Sequence, residues 1–286
     1  MAGAHERLAG GMSGQAELAQ RYARLKEISG IMTAMKSLSL VETKKLARFI
    51  GHQRRMLANI EAAAADFLSF FPGEHVVTTQ SAIVLLIGSE RGFCGNFNER
   101  VLAALDALPG GQAEPALLLV GSRLAAKLAD RPGILARLDG ANVTEDVPAV
   151  LNRIMDALHT ASLSGAGAAL FSLAHTAEGE VLLKRLLPFD PPAAAPRAHP
   201  PRLNLAPAEF FAELLDQYLL AALYGQLYES LAAESRQRLA HMEHALDRLG
   251  ETLSRLALKR NALRQEKIVE EIEVILSSEM AFQDHG

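Results

Sequence analysis

Cysteine is nearly absent from this chain of 286 residues, in which Cys94 is the only one. A single cysteine excludes a disulfide bond within the chain and suits a reducing compartment. No stretch reaches the roughly 18 consecutive apolar residues of a transmembrane helix, and the first residues lack the apolar core of a signal peptide. We therefore expect no direct transmembrane segment, and a protein that is soluble or peripheral to another assembly.

Proline is missing from both ends of the chain. All twelve prolines lie between Pro72 and Pro207. Because proline interrupts helices, its distribution marks where long helices are permitted. We predict four parts: an N-terminal coiled-coil helix over residues 1–71, an α/β module over 72–187, a proline-rich connector over 188–206 and a C-terminal coiled-coil helix over 207–286.

A continuous surface of one charge is also missing. The net charge is −4, but residues 1–60 carry ten Lys or Arg against four acids, and residues 208–286 carry eight against fourteen. This complementarity favours pairing of the two ends with each other. It does not resemble the single basic face of a nucleic-acid-binding protein, so we expect no nucleic-acid partner.

Apolar residues recur at steps of three and four in both ends of the chain, which is typical of a coiled-coil seam. In the first helix they are Leu18, Tyr22, Leu25, Ile28, Met32, Met35 and Leu38, and in the last Leu239, Met242, Leu246, Leu249, Leu253 and Leu256. Such long helices are not stable alone, and a single chain must return along itself. We therefore predict an antiparallel pair, with Gly30 and Gly51 as candidate positions for a bend.

The middle of the chain has a different pattern, in which short apolar runs alternate with helical stretches. Strands are predicted at residues 81–87, 116–120 and 168–174, with helices at 98–108, 123–129 and about 147–158. Alternation of this kind predicts a small α/β domain with parallel strands and right-handed crossovers. The predicted fold is thus a long antiparallel two-helix coiled coil with a small Rossmann-like α/β module inserted between its helices.

A glycine-rich turn follows the first predicted strand and precedes a helix. Its characteristic residues are Gly88, Arg91, Gly92, Cys94, Gly95 and Asn98. Such a turn can present backbone amides to a phosphate, but this one lacks the Lys-Ser/Thr of a P-loop and the spacing of a dinucleotide fingerprint. A tightly packed structural turn is the favoured interpretation, with Cys94 as a small buried side chain, because no histidine in the motif would activate it.

No catalytic centre or metal site stands out. His241 and His244 are three residues apart, but two ligands are too few to define a metal site. A solvated helix face is the favoured interpretation of this pair. We expect no cofactor, no metal and no catalytic residue.

Two basic runs allow two interpretations, a solvated helix face or a collar that meets acidic loops of a partner. They comprise Lys36, Lys44, Lys45 and Arg48 in the first helix, and Arg255, Lys259, Arg260, Arg264 and Lys267 in the last. The final turns are apolar, with Ile272, Ile275, Leu276, Met280 and Phe282. Because an exposed helix end is usually polar, we expect a partner to enclose this tip.

Three segments together resemble the gamma subunit of F-type ATP synthases, the central rotor shaft. They are RLKEISGIMTAMK at 24–36, GSERGFCGNFN at 88–98 and NALRQEKIVEEI at 261–272. Supporting matches are the strand end at Val120, Leu187-Pro188, and LAAES at 231–235. The order and spacing of these segments agree with the family over nearly the whole chain.

The resemblance implies a non-catalytic central-stalk subunit that transmits torque between an ion-driven membrane ring of c subunits and the catalytic alpha/beta ring. It implies an epsilon-subunit partner and a peripheral position on the cytoplasmic face of a bacterial inner membrane. The implied contacts with the beta subunit are Met35, Lys36, Arg260, Arg264 and Gln265. The implied apolar bearing at the shaft tip is formed by Ile272, Ile275, Leu276 and Met280.

The sequence departs from the family pattern at Thr33, Phe93, Asn96, Phe97 and Val269. These departures bear on individual contacts with the beta subunit, and they are compatible with an alternative bacterial ATPase that is linked to sodium. Two other hypotheses stay open at this point. One is a nucleotide-binding α/β protein whose helices are dimerisation arms, and the other is a scaffold coiled coil.

Overall fold

The computed structural model describes residues 2–283 except 73–80, 109–114, 163–167 and 191–198. Contacts divide the chain into two compact units. Unit 1 comprises Met1–Ser37 and Met242–Gly286, and unit 2 comprises Leu38–His241. The predicted division into four domains stays a prediction, and residues 191–198 of the predicted proline-rich connector lie outside the described residues.

The order of elements is α1 (Ala2–Phe70), β1 (Ser81–Ile87), α2 (Phe97–Asp106), β2 (Ala116–Val120), α3 (Ser122–Lys127), β3 (Ile134–Leu138), α4 (Val147–Ser162), β4 (Ala168–His175), β5 (Val181–Leu187) and α5 (Pro207–Gln283). Long helices at both ends with a sheet between them confirm the predicted fold class. Helix α1 continues through Gly30 and Gly51 without a break, so neither glycine ends it. None of the helices in the described residues is long and apolar enough to cross a membrane.

The sheet of unit 2 has five strands in the order β3-β2-β1-β4-β5. Strands β1, β2, β3 and β4 pair in parallel, whereas β5 is antiparallel to β4. The sequence prediction was right for β1, β2 and β4, which pair in parallel as expected, but it omitted β3 and the antiparallel β5. Both omitted strands lie at sheet edges, where partial exposure and the charged Lys184 and Arg185 weaken the apolar signal.

Both faces of the central strands are covered, which explains their continuous apolar sequence. Ile83, Leu85 and Ile87 of β1 face a core shared with α4 and with residues of α1 and α5 that belong to unit 2. Val84 and Leu86 face a second core against α2 and α3. Strand β1 therefore anchors two layers of helices on opposite faces of the sheet.

Unit 1 is an antiparallel pair of helical segments from α1 and α5. The Nζ atom of Lys36 lies 3.0 Å from Oε1 of Glu243, while the guanidinium of Arg260 lies 4.8 Å from the centroid of the Tyr22 ring. Residue numbers that rise in one helix as they fall in the other show that the segments run in opposite directions. The predicted antiparallel pairing is therefore correct within this unit.

The seam on α1 differs from the predicted one by a small shift. From Leu18 to Met32 its half-buried side chains are Leu18, Tyr22, Leu25, Ser29 and Met32, which alternate by four and three, and Met35 and Lys36 continue it. The predicted Ile28 is 45% exposed. The steps from Tyr22 to Leu25 and from Leu25 to Ile28 are both three residues, and two such steps in succession turn the side chain of Ile28 away from the seam. Leu38, in unit 2, is also 45% exposed. On α5 the predicted apolar line from Met242 to Leu256 is half-buried or buried as expected.

Candidate functional site

The glycine turn lies in unit 2 at the carboxyl ends of the parallel strands, the edge at which α/β sheets commonly bind ligands. The turn is closed by the buried side chain of Asn98. The backbone N–H of Ser89 donates to Oδ1 of Asn98 at 2.9 Å, and Nδ2 of Asn98 donates to Oγ of Ser89 at 2.8 Å. This pair of bonds joins the end of β1 to the first turn of α2.

Two glycines at this edge are required by close packing. A Cβ atom on Gly88 would lie 2.4 Å from Cβ of Leu124, and one on Gly121 would lie 2.7 Å from the carbonyl oxygen of Gly88. Gly121 also has a φ of 106°, which side chains rarely tolerate. These contacts support the interpretation of residues 88–98 as a structural turn.

A carboxylate of the chain itself accepts hydrogen bonds that are available at the same edge of the sheet. Glu90 accepts hydrogen bonds from the N–H of Ser122 at 2.9 Å, from Oγ of Ser122 at 2.5 Å and from the N–H of Gly140 at 2.7 Å. Partial burial opposes ionisation of Glu90, but these hydrogen bonds outweigh it and hold its pKa below the usual value. The ends of β1, β2 and β3 are thus tied together by an internal anion.

The turn is fastened to α5 by a buried ion pair that the sequence analysis did not identify. Glu234 and Arg238 are each 4% exposed and form an ion pair one helical turn apart. Nε of Arg238 donates to the carbonyl oxygen of Gly92 at 3.2 Å, and the N–H of Arg91 donates to Oε1 of Glu234 at 3.4 Å. We call this arrangement the turn clamp.

A signal for the turn clamp was present in the sequence. Glu234 and Arg238 are an acid and a base four residues apart, and Glu234 belongs to the LAAES match within an otherwise apolar stretch. Burial raises the pKa of Glu234, whereas the adjacent Arg238 guanidinium and the hydrogen bonds oppose this shift. From the sequence alone, a charged residue in an apolar stretch is predicted to face solvent. Only the position of the glycine turn shows that Glu234 and Arg238 are covered.

Cys94 is buried in the turn, as the sequence analysis favoured. It is 5% exposed, and its Sγ donates to the carbonyl oxygen of Arg91 at 3.5 Å. Burial raises the pKa of this thiol above its ordinary value. Because the thiolate is the nucleophile, a thiol that stays protonated is unreactive at neutral pH.

His175 is a second buried residue beside the turn that was not identified in advance. Its ring stacks on Phe97 with centroids 3.8 Å apart. Nε2 lies 3.0 Å from the carbonyl oxygen of Phe97, and Nδ1 lies 3.1 Å from that of Gly179. Burial lowers the pKa of His175 although both carbonyls favour protonation, so the imidazole is neutral at pH 7.

Helix α1 is attached to the module by polar contacts in unit 2. Glu42 accepts from the N–H of Thr144 at 3.1 Å and from its hydroxyl at 2.8 Å, and both residues are buried. Lys45, part of the first basic run, forms an ion pair with Glu145. The collar interpretation of the first run therefore does not account for Lys45, which is engaged within the chain.

The residues predicted to contact the beta subunit lie in two separate places in unit 1. Met35 and Lys36 are half-buried at the level of Glu243, and Arg260 packs over Tyr22. Positions 22 and 36 are fourteen residues apart, which corresponds to about 21 Å along a helix. Arg264 and Gln265, about one turn beyond Arg260, are exposed.

The predicted apolar tip is exposed where its side chains are described. Ile272, Ile275 and Leu276 are 50%, 59% and 52% exposed. Met280 lies within α5, but its side chain and that of Phe282 lie outside the described residues. Apolar exposure on this scale at consecutive turns is typical of a surface that another molecule covers.

Within the part of the chain that the structure describes, no group of three or more His, Cys, Asp or Glu residues could hold a metal ion. His241 and His244 are exposed on α5. Their positions agree with the favoured interpretation of a solvated helix face.

Comparison with known proteins gives one family. Residues 14–282 match the family model described as ATP synthase. Among curated relatives, the ATP synthase gamma chain of Ruminococcus albus is 24% identical over 278 residues, covering 90% of this chain and 96% of the relative. That of Pelotomaculum thermopropionicum is 25% identical over 281 residues, covering 93% and 98%.

Solved structures show the same fold. A chain of the mitochondrial ATP synthase of Euglena gracilis, in the OSCP/F1/c-ring assembly, is similar with a TM-score of 0.60 and 13% identity. The match covers 94% of this chain and 95% of the Euglena chain. A chain of the Euglena rotor is similar with a TM-score of 0.58 and 12% identity, covering 90% and 99%.

Proposed function

Since this chain belongs to the gamma-subunit family of ATP synthases and is a central-stalk subunit, we propose that it transmits torque between an ion-driven membrane ring and the catalytic alpha/beta ring. The observation that carries this proposal is unit 1, an antiparallel helix pair that exposes apolar side chains. An elongated pair of this kind is stiff, and its faces differ chemically. Turning it presents a different face to each catalytic subunit.

Such a difference between faces is enough to make identical catalytic sites unequal. A ligand shifts a conformational equilibrium only by its differential affinity for the two states. On α1 the apolar Ile28 and Ile31 are 45% and 56% exposed, whereas the exposed Lys26 lies on another side of the helix because it precedes them by two and five residues. A beta subunit that meets the apolar side would therefore be biased differently from one that meets the charged side.

The residues that the family resemblance implies as contacts with the beta subunit differ in whether they already have a partner within the chain. Arg264 and Gln265 are exposed and present donors that carboxylates or carbonyls of a beta loop can accept. Lys36 is bonded to Glu243 and Arg260 rests on Tyr22, so each must leave or share an internal partner before it contacts another subunit. We propose Arg264 and Gln265 as the principal contacts, with Met35, Lys36 and Arg260 as secondary ones.

The tip is proposed to turn inside an apolar sleeve of the alpha/beta ring. Burying a side chain the size of Ile272 or Leu276 contributes about 1.5–3 kcal/mol. Apolar contacts are non-directional, so they hold the tip without fixing its rotational angle. A bearing requires this property, and Ile272, Ile275, Leu276 and Met280 would supply it.

The α/β module and the neighbouring helices are proposed to contact the membrane ring of c subunits and the epsilon subunit. The Euglena assembly that contains the similar chain includes a c-ring, which supports the first of these partners. We further propose a peripheral location on the cytoplasmic face of a bacterial inner membrane. In this function the subunit holds no nucleotide and catalyses no reaction itself.

Truncation tests the proposal in the complete ATP synthase complex. Removing residues 268–286 deletes the apolar tip, whereas removing only 284–286 is the matched control. In inverted membrane vesicles, ATP hydrolysis should continue in the first variant while the membrane potential formed per ATP falls severalfold. The control should behave as the unaltered complex does.

Two outcomes would count against this function. One is undiminished ATP-driven potential after removal of residues 268–286. The other is saturable nucleotide binding or ATP hydrolysis by the isolated chain, which would favour the nucleotide-binding alternative. The sodium-linked hypothesis stays a prediction, and it requires that the ATP-driven potential depend on Na⁺.

A further inference from the structure

The turn clamp buries two charged side chains between α5 and the glycine turn. Glu234 and Arg238 are each 4% exposed, whereas the side chains of Arg54 and Glu178 are 53% and 65% exposed. Taking charges out of water is unfavourable, and an apolar pair of similar volume would stabilise such a site at least as well. Stability alone therefore does not explain the pair.

A directional bond network does what an apolar contact cannot. Leu227 and Leu231 of α5 pack in the core, and such contacts tolerate small sliding because the hydrophobic effect has no preferred direction. A guanidinium instead presents donors in a rigid planar fork, which fixes both distance and angle. Buried ionic groups are known to specify one register among several in some proteins.

The bonds of the turn clamp reach adjacent residues in the middle of the glycine turn. Arg238 donates to the carbonyl of Gly92 at 3.2 Å, and Glu234 accepts from Arg91 at 3.4 Å. A further bond runs from Nε2 of Gln237 to Oδ1 of Asn96 at 3.0 Å. All three α5 residues lie within little more than one helical turn. A shift of α5 along or about its axis would therefore break the three bonds together.

We propose that Glu234 and Arg238 are positioning residues that fix the register of α5 against the α/β module, so that turning force passes between them without slip. This inference rests on the proposed torque-transmitting function. It assigns a mechanical role to the glycine turn, which holds α5 at a fixed position and angle against the α/β module. The glycines permit the close packing, and the turn clamp sets the angle.

The test uses the complete complex in inverted membrane vesicles and divides the ATP-driven membrane potential by the rate of ATP hydrolysis. The double variant Glu234→Gln with Arg238→Met removes both charges, so neither is left buried without its partner. We expect ATP hydrolysis close to that of the unaltered complex and a severalfold lower potential per ATP. An unchanged ratio would overturn the inference.

A matched control separates slip from lost stability. Leu227, 3% exposed on the same helix, becomes alanine in Leu227→Ala, which should lower the Tm of the chain at least as much as the double variant does. Its potential per ATP should nevertheless stay unchanged at temperatures where the complex is intact. An equal loss in both variants would reduce the turn clamp to an ordinary stabilising contact.

Arg238→Lys serves if the double variant does not assemble. It keeps the positive charge but loses the planar fork, so we expect a potential per ATP below that of the unaltered complex. A ratio equal to that of the unaltered complex would contradict a role for bond direction. Failure of the proposed function itself is distinguishable, because removal of residues 268–286 would then leave the ATP-driven potential undiminished.

Discussion

Unit 2 and unit 1 contain the same two helices but bury them differently. In unit 2, residues of both helices such as Leu46, Phe67 and Leu223 are at most 1% exposed in a core shared with the sheet or between the helices. In the described part of unit 1, Met242 is the one buried apolar side chain, and Leu258 is 72% exposed. Unit 2 thus has an apolar core of its own, whereas unit 1 leaves apolar side chains exposed, and we propose that other subunits cover them.

The largest expected effect is loss of a core aromatic from unit 2. The ring of Phe67 lies 4.9 Å from that of Phe71, 5.0 Å from Phe210 and 5.9 Å from Phe211. Phe67→Ala should lower the free energy of unfolding of the isolated chain by about 3–5 kcal/mol. Chemical denaturation followed by circular dichroism measures this change. A loss no greater than that of Phe49→Ala, at a 40% exposed position of the same unit, would contradict the assignment of Phe67 to the core of unit 2.

The next effect is a pH dependence confined to unit 2. Because burial lowers the pKa of His175, the folded state binds fewer protons than the unfolded state as pH falls below about 6.5. Its contribution is therefore fully present above that pH and is lost towards acid. Arg100 on α2 adds to this shift by repelling the imidazolium.

This dependence is measured by denaturation curves between about pH 5 and pH 7. These limits lie about 1.5 units below and about 0.5 units above the ordinary histidine pKa. His175→Gln removes the titrating group. The free energy of unfolding should therefore depend less steeply on pH, and the number of protons taken up on unfolding should fall by up to one. The exposed His241→Gln is the matched control in the same unit. An equal slope in the His175 variant would show that other groups cause the dependence.

A smaller effect is expected from the ion pair of unit 1. Lys36 and Glu243 have side chains 38% and 50% exposed, and pairs of this kind contribute about 0.2–1 kcal/mol. Lys36→Gln should therefore lower the Tm of the isolated chain only slightly, and added salt should reduce the difference. Glu243→Gln should behave the same way, and no additional loss is expected when the two changes are combined.

The smallest effect on the isolated chain is expected at the tip. Ile272→Gln replaces a half-exposed side chain and should change the free energy of unfolding by no more than about 0.5 kcal/mol. In the complete complex, the same change should reduce ATP-driven potential because the bearing loses apolar contact. A large destabilisation of the isolated chain would mean that the tip is covered by the chain itself.

Much of the candidate site could not be predicted because its residues meet only in three dimensions. The glycine turn was identified as structural from its spacing, and Cys94 as buried. Glu234, Arg238 and His175 were missed, because a charged or titratable side chain on a helix or strand gives no local sign that a distant turn covers it. The seam was misplaced at Ile28 because Ser29, a polar residue, takes the inward position.

The two long helices and the buried strand β1 could be predicted from the amino-acid sequence. Those features depend on properties that act locally, namely the absence of proline, apolar steps of three and four, and an unbroken apolar run. The edge strands β3 and β5, the antiparallel direction of β5 and the turn clamp instead depend on the complete fold. Their stability comes from neighbours distant in sequence, which pair with an exposed backbone edge or remove a charged pair from water.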